Sequence, residues 1–97
     1  MIIDFFDKGT EDIYNGIDSK EARKALPIKL RKIALRKCYF LDNAIDIEDL
    51  RIPPSNRLEL LQGDRQGQYA IRINDRYRVC FIWTELGPTR VEIVDYH

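Results

Sequence analysis

Histidine is nearly missing from this chain: 97 residues hold one, and it is the last, His97. Cys38 and Cys80 have no CxxC spacing and no histidine near them, which argues against a zinc site. Both read as small core hydrophobes. No run approaches the roughly 18 apolar residues of a membrane-spanning helix. The start Met1-Ile2-Ile3-Asp4 lacks the charged-then-apolar opening of a signal peptide, so a cytoplasmic protein is expected. Net charge is also absent, with 16 basic residues against 16 acidic ones.

What is present is a globular composition, 44% apolar and 33% charged, sufficient for a single domain over 1–97 with one modest core. The charge is unevenly spread. Lys20, Arg23, Lys24, Lys29, Arg31, Lys32, Arg36 and Lys37 face one acid, Glu21, and Asp42, Asp46, Glu48 and Asp49 follow. A strongly basic helix there can track phosphates or be only a solvated face.

The spacing predicts an α+β layout, with N-terminal helices packed on an antiparallel meander. Ile2, Ile3, Phe5 and Phe6 suggest a short opening strand, and Thr10 a helix cap before Asn15-Gly16. Pro27 suits a first helical position. Leu30, Ile33, Ala34, Cys38 and Leu41 recur at helical spacing, ending near Asn43. Ile52-Pro53-Pro54-Ser55-Asn56 is a stiff connector. Beyond it the period becomes two. A strand within 57–62 is followed by Tyr69 to Ile73, a turn at Asn74-Asp75, Arg78 to Trp83, a turn at Glu85 to Pro88, and Val91 to Tyr96. Tyr69, Phe81 and Trp83 read as core. The segment 8–26, polar and holding Gly9 and Gly16, is expected to be loosely ordered until a partner binds.

Alternation sends Arg72 and Arg78 out of the face opposite Ile71, Ile73, Val79 and Phe81. There they can meet Glu59 and the Asp95-Tyr96-His97 tail as a phosphate site, or form cross-strand ion pairs of little energy. A tail tied into the sheet would cluster an imidazole, a phenol and carboxylates, while a frayed tail would do nothing.

The run from Arg57-Leu58-Glu59-Leu60-Leu61-Gln62 through Gly63-Asp64-Arg65-Gln66-Gly67 to Trp83, then Val91-Glu92-Ile93-Val94-Asp95-Tyr96-His97, resembles the HigB toxins. These are plasmid maintenance system killer proteins of the RelE/ParE superfamily. The resemblance covers residues 28–97 well and the first 27 weakly. It is closest to the growth-rate-affecting GraT-like branch, which shares the Pro-Pro connector and the Val-Asp-Tyr-His ending. It implies a RelE-like fold and a type II toxin that cleaves messenger RNA in the ribosomal decoding site, neutralised by a HigA-like helix-turn-helix antitoxin. Operator DNA would be met only through that antitoxin.

By position, Arg78 matches the arginine at the scissile phosphate, and Asp95, Tyr96 and His97 the C-terminal catalytic group. Glu59 stands where many HigB toxins carry histidine, and Gln62 where many carry lysine, a pattern implying weakened catalysis. The neutral net charge departs from the usual basic toxin. Arg72, Arg76, Gln62, Arg65, Lys32 and Arg36 are the expected RNA contacts.

RNA cleavage needs a base for the 2′-hydroxyl, a cation at the phosphoryl oxygens and an acid for the 5′-oxygen. Imidazole, with a reference pKa of about 6.5, can serve either proton step, with Glu59 as second partner and no cofactor or metal. A ParE-like gyrase poison without catalysis, and a weakened ribosome- or antitoxin-binding module, are the competing readings.

Overall fold

In the computed structural model, described over residues 1–96, helices come first and strands second. Asp7, rather than Thr10, starts the first helix: its Oδ1 accepts from Thr10 N at 2.8 Å. This helix, α1 (Lys8–Asn15), ends at Gly16, whose left-handed φ of 75° suits glycine. Thr10 lies inside the helix, fully buried, and its Oγ1 accepts from Ile93 N at 3.0 Å. Sequence alone cannot separate a capping threonine from one needed by a neighbouring strand.

Ser19 caps α2 (Lys20–Ala25), accepting from Ala22 N at 3.0 Å. The two helices nearly touch at Gly9, where a Cβ would stand 2.6 Å from the Glu21 carbonyl oxygen. Ala22 and Leu26 are fully buried. The 8–26 segment is therefore two capped, packed helices and not the loose stretch its composition suggests.

The basic run is not one helix either. Pro27 breaks it, a 3-10 turn Ile28–Leu30 follows, and α3 (Arg31–Asn43) begins only then. Its apolar stripe buries Ala34, Cys38 and Leu41, while Ile33 stays exposed. Lys37 departs from the solvated bases around it: it is buried, and its Nζ donates to Asn56 Oδ1 at 2.7 Å. Asn56 Nδ2 in turn donates to the Leu50 carbonyl at 3.0 Å, joining α3 to the Pro-rich connector. Burial, then the neighbouring Arg36 charge, holds the Lys37 pKa below its ordinary value.

The strands β1 (Glu59–Leu60), β2 (Tyr69–Arg72), β3 (Tyr77–Thr84) and β4 (Gly87–Asp95) pair antiparallel in that order. The expected opening strand is shorter than its apolar run. Extended residues meet β4 through one parallel bridge, Phe5 to Val91, with Ile3 N donating to the Pro88 carbonyl at 2.8 Å. A register shift opposite Cys80/Ile82 gives β4 an extra residue, and Arg90 takes φ 54° there. The Asp4 carboxylate accepts from Arg90 N at 2.6 Å and steadies the bulge.

One sheet face makes the core. Ile71, Val79, Phe81 and Val91 pack against Leu26, Leu41 and Leu50, all essentially inaccessible. Tyr69 stacks on Phe81 at 6.1 Å, and Trp83 is half-buried against the same cluster, as expected of core aromatics. Among the described residues no helix is long and apolar enough to cross a membrane.

Candidate active site on the outer sheet face

The other face is built by the same alternation. Register sets Glu59 beside Ala70, Ala70 beside Cys80 and Cys80 beside Glu92, while Arg72 faces Arg78 and Arg78 faces Val94. Side chains directly opposite across antiparallel strands share a face. Glu59, Arg72, Arg78, Glu92 and Val94 thus project together, with Tyr96 next in the alternation. Leu61, Ala70 and Cys80 form a small buried floor against which Val94 packs. Longer charged side chains surround it, and the four groups that act electrostatically on the Cys80 thiol are Arg65, Glu92, Arg78 and Glu59. Burial above all pushes that thiol up to about 11, and burial pushes Cys38 to about 12, so both are inert core thiols.

Three of the expected arginines meet here. Arg78 lies with its guanidinium 5.6 Å from the centre of the Tyr96 ring, and donates to the carbonyls of Asn74 and Tyr77. Arg72 stands directly across from it and pairs with the exposed Asp75. Arg65 arrives from outside the strands. Gly63 and Gly67, both at positive φ, bracket the 3-10 turn Gly63–Arg65, so the Gly-Asp-x-x-Gly motif is the β1–β2 connection and not strand. From it Arg65 Nη1 donates to Glu92 Oε1 at 3.0 Å and Gln68 Oε1 at 3.1 Å. The hydrogen bond it donates to Glu92 holds the Arg65 guanidinium further above its usual range.

Other expected members lie elsewhere. Alternation turns Asp95 away from Val94 and Tyr96, and Arg76 grips it with bonds of 2.8 and 2.7 Å. Arg76 is thereby engaged at the sheet end. Gln62 belongs to the β1–β2 loop, lining a hollow of about 400 Å³ with Gly63 and Gln66. Lys32 and Arg36 are exposed on α3, whose buried stripe packs on the core face of the sheet. They belong to the opposite layer from Arg78. His97 lies outside the described residues. Glu92 is the member sequence reading passed over. Its signal was available: it occupies the same alternation as Arg78, two residues from Val94.

A family model describing the RelE-like toxin of type II toxin–antitoxin system HigB matches residues 3–97. The chain is a HigB-like toxin. It is 40% identical over 85 residues to Toxin HigB-1 of Vibrio cholerae serotype O1, covering 88% of this chain and 86% of that one. An uncharacterized protein of Haemophilus influenzae is 33% identical over 69 residues, 71% of this chain and 68% of that one. The family match takes in α1 and α2, the segment over which the motif resemblance is weak. Membership makes this chain the toxin of a type II pair, with an antitoxin as its partner, and its helices on a four-stranded antiparallel sheet fit a RelE-like toxin.

Proposed function

We propose that this toxin is a ribosome-dependent, metal-independent endoribonuclease that cuts messenger RNA on its outer sheet face in the cytoplasm, and that a HigA-like helix-turn-helix antitoxin neutralises it. The observation that carries the reading is the cross-strand pair Arg72–Arg78, two like charges directly opposed beside Tyr96. Such a pair is unfavourable on its own, and although the exposed Asp75 offsets the Arg72 charge, Arg78 donates only to backbone carbonyls among the described residues and favours an anion beside it. A phosphodiester supplies that anion.

In the mechanism, Arg78 stabilises charge as it develops on the phosphoryl oxygens, and Arg72 adds a second cation. His97 takes the 2′-hydroxyl proton or delivers one to the 5′-oxygen, and Glu59 is its partner in the complementary step. Tyr96 stacks on a base or donates to the phosphate. Asp95, held by Arg76, orients the tail and is a positioning group. Glu59 is a short, exposed carboxylate where histidine is common, so much of the alignment comes from the decoding site.

Purified toxin added to programmed ribosomes, with 5′-ends mapped by primer extension, tests this. Cuts should appear on translated message and be far slower on naked RNA. Equal cutting of both contradicts ribosome dependence. DNA breaks without RNA cuts would transfer the toxin to the gyrase-poisoning class.

A further inference from the structure

Beside the tail lies a hollow of about 360 Å³ lined by Arg65, Val94, Asp95 and Tyr96. Its chemistry differs from that around Arg78, whose guanidinium donates to the Asn74 and Tyr77 carbonyls and pairs with no carboxylate among the described residues. Arg65 is matched by Glu92, and Asp95 by Arg76, so each charge at this hollow has its counter-charge within 3.0 Å. A phosphate gains little where the cations are already neutralised. An uncharged, flat ligand gains more, because the lining offers a phenol ring, the methyls of Val94 and a planar guanidinium.

Arg65 is also held in orientation. Its Nη1 is committed to Glu92 and Gln68, the first of them on β4 and the second at the edge of β2. A guanidinium fixed through one nitrogen presents its remaining N–H groups in a fixed direction. The complement to such a fork is a pair of adjacent acceptors in one plane, which among the bases guanine presents as O6 and N7.

We infer that this hollow receives a nucleobase of the RNA strand next to the phosphate at Arg78, that Arg65 reads it with a preference for guanine, and that Glu92 is the positioning residue that aims Arg65. The inference rests on the ribonuclease reading for its substrate, and the second of its two tests is independent of cleavage. Glu92 acts through Arg65 and touches no substrate atom. The ring of Tyr96 then serves two neighbours, Arg78 on one side and the base on the other.

Two measurements test it. In the first, ribosomes carry messages that differ only in the nucleotide flanking the cut. Wild type should favour guanine at one flanking position by on the order of tenfold, the discrimination of one bidentate contact. Arg65→Lys keeps the charge, loses the fork and should bring the ratio near one. Glu92→Gln should lower the ratio without removing it, and a structural role alone would leave the ratio unmoved. An unchanged guanine preference in Arg65→Lys overturns the inference, as does a wild type indifferent to the flanking base. The second measurement is independent of cleavage: short RNAs with guanine or cytosine are titrated into isotope-labelled toxin. Larger shifts of the Val94 methyls and Arg65 Nε with the guanine strand are expected. Equal shifts, or none at these groups, overturn the inference, whereas absent cleavage with base-selective shifts removes the ribonuclease reading and leaves this one.

Discussion

The two faces of this sheet come from the same strands and obey opposite demands. On the inner face Ile71, Val79 and Phe81 are sealed by α2, α3 and the connector. On the outer face, among the described residues, no element of regular structure covers Ala70 and Cys80, yet both are fully buried. They cluster with Leu61 under Val94, and Arg65, Arg78 and Glu92 lie near enough to act electrostatically on the Cys80 thiol. A polar outer face is ordinary for an antiparallel sheet. What is unusual is a face with two arginines opposed, an arginine clamped from a loop and a small apolar floor beneath them. The inner face is built for packing density, the outer face for placing charge at fixed positions.

Neighbouring residues of β3 sharpen that contrast. Phe81→Ala should cost about 3–5 kcal/mol in denaturant unfolding, since it leaves a cavity in the sealed face. Cys80→Ala, one residue away on the outer floor, should cost far less because only a small side chain is truncated. Comparable losses would mean the outer floor is as load-carrying as the core. Asn56→Ala should cost roughly 2–3 kcal/mol, because it strands the buried Lys37 ammonium. Replacing Lys37 by methionine in the same background should recover part of that, and no recovery would assign the loss to the connector.

Glu59→His should raise cleavage without changing the melting temperature, since Glu59 is exposed on a two-residue strand. Activity unchanged within about twofold would make Glu59 a mere ion-pair partner. The smallest effect concerns acid. Hydrogen bonding from Ser19 Oγ, then Lys8, holds the Asp12 carboxyl below its ordinary value. A depressed folded pKa contributes stability above the unfolded value, near 4, and loses it as pH falls through the folded one. Asp12→Asn should therefore flatten the stability curve below about pH 4 and leave its slope near neutrality unchanged.

Most of the second half was legible because period-two alternation and turn residues act locally. The meander, both turns and the outward course of Arg72 and Arg78 follow from them. The first half was harder. The polarity of 8–26 suggests looseness because the stabilising contacts are non-local: Thr10 to the backbone of Ile93, Gly9 against Glu21. Lys37 looked solvated since nothing near it in sequence foretells Asn56 as its acceptor. The site was legible by residue type but not by layer. Lys32 and Arg36 have the charge of RNA contacts, yet α3 turns its apolar stripe to the sheet and carries them to the far side. Asp95 was placed with Arg78, whereas alternation gives it to Arg76.

Under the proposed function, RNA is handled by the outer sheet face and not by the basic helical layer. This division is tested most directly by mapping cleavage of ribosome-bound message for Arg78→Ala beside the double variant Lys32→Ala/Arg36→Ala, each checked for an unchanged melting temperature. Arg78→Ala should lower the rate of cutting by roughly 10²-fold or more, as loss of a transition-state cation does, while the helical pair changes it only several-fold. Equal losses from the two faces, or a greater loss from the helical pair, would contradict it.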